Sequence, residues 1–393
     1  MKLLIVSHVI HYRHAGRLYA YGPYGREIDI WADLFGEVAI AAPCVDALPP
    51  GDCTVLSPKI SIAPQKHISG GSIAARIHSV ICLPAIVAGL AREMRRADAI
   101  HVRCPGNLGA IAAVMAPIFS KRLVAKYAAQ WCHSPGEPWT ARFQKSLLRS
   151  RWWRGPVTVY GAWPNQPAHI VSFFTSILTD QQLARAARSA RLPRFQNGLR
   201  VIYTGRLSRF KNVDILLAAL ARCRSRGIPL TCQIVGDGPE RGPLMAQAER
   251  AGIGQAVEFA GSLPFDEVIP RLERADVLVL VSQTEGWPKS IAEGMAFGLL
   301  CIGSDQGFTR DMLKGRGVIV PRRDAEALAA VLSDIASDPA RYDTMRQRSA
   351  EWARQFSLNG LRDRLAALLT RHWGVEIAAA RGVTAHAGVG SGR

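Results

Sequence analysis

Thr284–Gly298 reads TEGWPKSIAEGMAFG, and it sets two glutamates, Glu285 and Glu293, on either side of a loop-to-helix junction. Just ahead of it, ADVLVLVSQ (Ala275–Gln283) is a near-continuous apolar run, the pattern of a strand buried on both faces of a parallel sheet. Glu285 therefore falls on the loop at that strand's carboxyl end. Pro288 suits the first turn of the following helix, and Glu293 comes about one turn in. The free N–H groups of that helix start, with the macrodipole behind them, favour an anion such as a diphosphate. A carboxylate one turn away can accept two hydrogen bonds from a ribose diol, and Glu285 could hold sugar hydroxyls. Taken alone, the pair also suits an N-cap and a solvated helix residue.

Working outward, VIYTGRLSRFKNVDILLAAL (Val201–Leu220) gives a strand, then Gly205, Arg206 and Lys211, then an apolar-periodic helix. Breaking a sugar–phosphate bond leaves a diphosphate gaining negative charge. A planar Arg fork and a Lys point charge aimed at it stabilise that charge directly, though two such cations are also common on any surface. TCQIVGDGPE (Thr231–Glu240) reads as a strand and a glycine turn, and VEFAGSLPFDEV (Val257–Val268) as a short strand leading into a loop. A lone G-x-G is by itself only a tight turn. LLCIGSDQGFTRDML and GRGVIVPRRDAEALAAVL complete a six-element βα series with a ligand crevice at its strand ends.

Between about Leu199 and Phe356 this segment resembles family 4 glycosyltransferases of the GT-B fold, through the E-x7-E signature at Glu285 and Glu293 and the G-R-L…K motif at Gly205, Arg206 and Lys211. The resemblance implies an α/β chain of two Rossmann-like βαβ domains facing each other across a deep cleft. It also implies a retaining transferase that moves a sugar from a nucleotide-diphosphate sugar to a hydroxyl of a glycan or lipid-linked acceptor, in bacterial cell-surface polysaccharide assembly, with no metal required. Glu285, Arg206 and Lys211 take the catalytic positions. Gly205, Gly236, Gly286, Trp287, Pro288, Lys289, Ser290 and Glu293 border the donor. Two other readings stay open: a catalytically silent binding protein of the same fold, and a sugar-nucleotide epimerase or hydrolase.

The amino-terminal half reads as a second doubly wound layer. MKLLIVSHVI starts a strand, and Gly22 and Gly25 suggest a loop before a helix carrying Ile28, Trp31, Leu34 and Phe35 on one face. ADAIHVRC and KRLVAKYAAQW read as buried strands around the helix LGAIAAVMAPIF. Many members of the family place a histidine after the strand matched by Leu123–Tyr127, and this chain has Ala128 there. Arg103, Lys126 and Tyr127 are the acceptor-side candidates, with His101, Gln130 and His133 nearby. The divisions expected are 1–197 for acceptor binding, 198–356 for donor binding, a crossover helix at 357–374 and a disordered tail at 375–393.

The 393 residues exceed one ordinary core, and 48% hydrophobic content suits a globular chain. Eight cysteines without C-x-x-C pairs give no zinc or disulfide framework and suit a reducing, cytoplasmic setting. The net charge of +18 is uneven, with 23 Lys and Arg against 10 Asp and Glu before residue 198. Within Arg142–Gly155 (RFQKSLLRSRWWRG), cations sit beside two tryptophans, so the segment either lies in an anionic lipid interface or is a solvated helix with inward aromatics. No zinc-finger spacing or RNP-like strand supports nucleic acid.

Overall fold

The computed structural model describes residues 1–68, 73–132, 136–196 and 198–377, the side chains of 73–78 excepted. His133, Asn197 and residues 378–393 of the expected tail lie outside that set.

A seven-stranded parallel sheet builds the first half, in the order Ile170–Phe173, Val157–Tyr160, Leu123–Tyr127, Ala99–Cys104, Lys2–Val6, Glu37–Ala42 and Ile60–Pro64. Its strands alternate between two cores, as side chains on a pleat must. Leu3, Ile5, Val38 and Ile40 pack with Ile28 and Trp31 of the helix Gly22–Leu34. Leu4, Val6, Ala39 and Ala41 pack with the helices Ile73–Arg95, Asn107–Phe119 and Trp139–Arg149. A six-stranded parallel sheet builds the second half, in the order Val257–Gly261, Leu230–Val235, Leu199–Thr204, Val277–Leu280, Leu300–Ser304 and Val318–Val320. The strand order reverses between Leu199–Thr204 and Val277–Leu280, and a crevice opens at the carboxyl ends of two such strands. The loops after these two strands carry Gly205–Lys211 and Gln283–Pro288.

Three features depart from the sequence reading. A small third sheet joins Cys44–Asp46, His11–His14, Arg17–Tyr21 and Cys53–Val55, its central hairpin turning at Ala15 and Gly16, both left-handed. Gly22 and Gly25 are not a loop: the first helix begins at Gly22. They are small because the neighbouring sheet is close, and a Cβ at Gly25 would stand 2.5 Å from the Thr54 methyl. Of the tryptophan pair, Trp152 is 44% exposed but Trp153 is 2% exposed and belongs to the core.

The polar stretch near residues 190–200 is fastened to the second half rather than slack. Arg194 donates to the carbonyls of Ser189, Glu273, Ala275 and Phe297, and Asp276, fully buried, holds the Arg200 guanidinium at 2.7 and 2.8 Å. The chain crosses between halves beside Ser176, whose hydroxyl donates to the Phe356 carbonyl at 2.7 Å, and Leu358 N–H donates to the Leu178 carbonyl at 2.9 Å. From there the helix Leu358–Trp373 returns to the first half, where the Trp373 indole donates to the Leu123 carbonyl at 3.1 Å.

Candidate active site

The strand Val277–Leu280 is wholly buried, so its chain emerges at the crevice with little freedom. Gln283 N–H donates to the Phe210 carbonyl at 2.7 Å, stitching this loop to the turn Arg209–Lys211. Asn212, fully buried and left-handed at φ 50°, donates to the Val281 carbonyl at 2.8 Å and accepts from Gln283 and Arg323. Asparagine tolerates that backbone, and the amide then locks both loops. The result is a direct contact: Lys211 Nζ donates to Glu285 Oε1 at 2.5 Å. Glu285 is fixed from behind as well, because its carbonyl accepts from the Phe308 N–H at 3.3 Å.

Arg206 lies exposed on the preceding loop, and its guanidinium has no acceptor among the described residues. Beneath it the glycine turns pack backbone to backbone. A Cβ at Gly236 would sit 2.0 Å from the Gly205 carbonyl, and one at Gly238 2.2 Å from that of Leu207. Only glycine permits that floor. The helix Lys289–Ala296 starts at the same rim with Pro288 as its N-cap, no side-chain cap, and Ser290 in its first turn. Its first N–H groups have no partner within the helix.

Glu293 sits one turn into that helix, 7% exposed, bordering a small cavity of about 10 Å³ with Thr175, Trp287, Lys289 and Phe356. Burial pushes its carboxyl up to about 7, with Lys289 and Arg26 pulling the other way. Tyr21, which the sequence reading missed, closes the ring of groups. Its hydroxyl is raised to about 12, first by desolvation and then by Asp52, Glu293 and Glu285, while Arg206 opposes the shift. It ends the hairpin that the sequence reading also missed, and the RLYAY run that carries it was the signal available.

The two halves touch at this site. A Cβ at Gly286 would stand 2.9 Å from Ala129 and from the Tyr160 ring, and Thr284 Oγ1 donates to Gln130 Oε1 at 2.8 Å. The Trp287 ring, expected at the donor, is instead 8% exposed and stacked on Phe308 with centroids 5.2 Å apart, beside Tyr160, Phe174, Trp352 and Phe356. Its side chain therefore anchors the loop. Lys289 donates to the Pro23 carbonyl at 3.1 Å, so its ammonium joins the halves while its backbone stays at the helix start.

The acceptor-side expectation needs correction. Arg103, Lys126 and Tyr127 are 8%, 6% and 1% exposed. Arg103 Nη1 and Lys126 Nζ donate to the two carboxylate oxygens of Glu27 at 2.6 and 2.7 Å, and Thr175 donates to Glu27 Oε2 at 3.2 Å. Burial alone would raise the Glu27 carboxyl, but Arg103, Lys126 and Lys289 hold it well below the usual range. The Lys126 ammonium is pushed down to about 8 by burial. Their ammonium and guanidinium groups serve the domain wall, because both are held on the two oxygens of the one Glu27 carboxylate. Tyr127 stacks edge-on against Trp131 at 5.2 Å. His101 is fully buried against Trp31 at 4.3 Å, and Ala128 is exposed.

Residues 185–354 match the sequence pattern of Glycosyl transferases group 1. That segment belongs to the family, and the rest of the chain lies outside the match. A glycogen synthase of Mycobacterium tuberculosis is 34% identical over 174 residues, 44% of this chain and 41% of that protein. A putative colanic acid biosynthesis glycosyltransferase, WcaL of Salmonella typhimurium, is 28% identical over 181 residues, 44% and 45% of the two chains. The chain thus spans under half the length of these relatives. Over its whole length it is similar to the Anabaena Alr3699/HepE crystal structure in complex with UDP-glucose, with a TM-score of 0.69, 17% identity, and coverage of 94% of this chain and 100% of that one. At that identity the likeness establishes the fold, and the two facing Rossmann-like domains are those of GT-B.

Proposed function

We propose that the protein transfers a sugar from a nucleoside diphosphate sugar to a hydroxyl of a glycan or lipid-linked acceptor. The observation that carries this reading is the Lys211–Glu285 contact at the point where the strand order reverses, with Arg206 open beside it. As the bond from the anomeric carbon to the phosphate oxygen breaks, the departing diphosphate gains charge. Arg206, Lys211 and the N–H groups at Lys289–Ile291 meet that charge without any metal. Glu285, held by Lys211, accepts from hydroxyls of the transferred sugar, and Glu293 accepts from the ribose. The acceptor oxygen forms the new bond from the first domain's side as the bond to phosphate breaks, and its proton passes to the departing phosphate oxygen. Retention at the anomeric carbon follows the resemblance to family 4. Loop contact across Gly286 would exclude water from the reacting centre. The named relatives act in polymer assembly, which supports cell-surface polysaccharide as the setting, and eight free cysteines suit a cytoplasmic one. A silent binding protein would not need to keep Arg206, Lys211, Glu285 and Glu293 together.

Thermal shift against a panel of nucleoside diphosphates and their sugars tests this directly, since a ligand that binds only the folded state raises Tm. A selective rise with one nucleotide that Glu293→Ala abolishes is the expected result. No rise with any nucleotide overturns the reading.

Glu293 also fixes a pH dependence. A carboxyl titrating near 7 accepts two hydroxyl hydrogen bonds only when ionised, so nucleotide affinity should strengthen from pH 6 to 8 by up to about tenfold per unit below that value. Glu293→Gln should bind weakly with a flat profile. Stability runs the other way. The folded state holds this proton more tightly than the unfolded chain, so stability falls as pH rises through the ordinary carboxyl range to about 7. Glu293→Gln should therefore melt higher than wild type at pH 8. Calorimetric titration across pH checks the first, and a flat wild-type profile would refute it.

A further inference from the structure

The face of the first domain opposite its Gly22–Leu34 helix carries apolar side chains that nothing covers. Its three helices, Ile73–Arg95, Asn107–Phe119 and Trp139–Arg149, lie side by side over the sheet. Val80 and Ile81 are 70% and 71% exposed, Ile118 69%, Trp139 70%, Phe143 46% and Trp152 44%. Trp139 and Phe143 stand one helical turn apart, as do Val114 and Ile118, so the exposure follows outward-facing stripes rather than scattered positions. The stripes join, because the Trp152 indole donates to the Val114 carbonyl at 3.0 Å and Arg95 lies over the Phe119 ring. Gly106 N–H donates to the Gln144 side chain at 3.1 Å. Taken with the Trp152–Val114 bond, that sets the third helix parallel to the second, and Trp139 and Phe143 extend beyond its start toward the cleft mouth.

Charge surrounds this surface with one sign. Residues 73–155 hold 13 Lys and Arg against three Asp and Glu. Arg103 and Lys126 are spent on Glu27, and Lys145 pairs with Glu137. Arg92, Lys121, Arg142, Arg151 and Arg154 remain exposed around the stripes, with exposed Arg96 paired to Glu93. Monomeric soluble proteins rarely leave so much contiguous apolar surface open. Large aliphatic and Trp side chains ringed by arginine are the chemistry of a protein that lies in the headgroup layer of an anionic bilayer. Among the described residues no helix is long and apolar enough to cross one.

We propose that this three-helix face docks the protein on an anionic membrane surface, with the end bearing Trp139 and Phe143 holding the cleft mouth near the headgroups. The proposal narrows the lipid-interface reading of Arg142–Gly155: Trp153 drops out, and the two preceding helices supply most of the apolar area. It also deepens the proposed function, because a lipid-linked acceptor would then meet the cleft at the bilayer.

The test is flotation of the full chain with vesicles of phosphatidylcholine alone, and of phosphatidylcholine with about one-third phosphatidylglycerol. Wild type should float with the anionic vesicles and not with the neutral ones, and its tryptophan emission should shift to the blue. The triple change Ile81→Ser, Ile118→Ser, Trp139→Ser should weaken binding at least about tenfold. Because those sites are surface positions, Tm and the nucleotide-induced rise in Tm should stay as in wild type. The pair Arg151→Glu, Arg154→Glu gives a second arm that leaves the apolar stripes intact and should lower the preference for anionic vesicles. Wild type failing to bind, or either variant binding as well as wild type, overturns the proposal. So does a wild-type dimer that the triple change dissolves with no vesicle binding, which would make the face a self-association surface. Vesicle binding with no nucleotide response would instead refute the proposed function and leave the docking face standing.

Discussion

Lys211→Ala is expected to lower kcat/KM for sugar transfer by about 10²-fold, and Glu285→Gln by at least about tenfold, with both variants folded. In the proposed function Lys211 is one of two cations that meet the leaving diphosphate, and loss of one preorganised charge partner at a transition state costs roughly 3 kcal/mol. Its removal also strips Glu285 of the contact at 2.5 Å that fixes it for the sugar. The glutamine variant keeps the shape of Glu285 but loses the charge-assisted bond. Since the two side chains act as one unit, the double variant should lose less than the product of the single losses. Steady-state kinetics with circular dichroism as the folding control decide it, and near wild-type turnover in either single variant would sink the assignment. Both side chains are partly open, 25% and 13% exposed, so the fold does not depend on them.

Glu27→Ala, in contrast, should damage the fold and reach activity only through it. Its carboxylate is 3% exposed and holds two buried cations from two different strands. Removing it leaves Arg103 and Lys126 without a counter-charge, which for a buried pair costs about 3–5 kcal/mol. The expected result is a large drop in Tm or no soluble protein. Adding Arg103→Met and Lys126→Met to the same chain removes the stranded charges and should recover much of the loss. The pH sign follows from the depressed carboxyl. Its stabilising contribution is complete above the ordinary carboxyl range and is lost as pH falls through the lower folded value, so wild type should weaken in acid at this site while the triple variant does not. A Glu27→Ala protein that melts with wild type would show that the cations relax into solvent.

The second domain was legible because its signals are local. Val277–Leu280 (VLVL) is apolar throughout and Leu300–Ser304 opens on the apolar Leu-Cys-Ile, each runs into a turn, and the glutamate spacing sits just past the first of them. The first domain hid what depends on distant partners. Arg103 and Lys126 look like candidates for substrate in a single sequence, because Glu27 stands 76 and 99 residues away. Gly25 reads as a turn until Thr54 is seen against it. The hairpin could have been found: HYRH and RLYAY flank Ala15-Gly16, a two-residue link whose both members take positive φ, as a tight hairpin requires. Trp152 and Trp153 could not be separated, since adjacent residues leave a turn in opposite directions and only the neighbouring helix shows which way is out.

The two chain crossings between the halves run together, tied by Ser176 to Phe356 and by Leu178 to Leu358. Both connections therefore share one pivot line, and one half can swing about it without stretching either. Any such swing would be largest far from that line, at the rim where the proposed donor would enter and the spent nucleotide leave. A single added bolt across that rim would arrest turnover and leave every group of the site in its place.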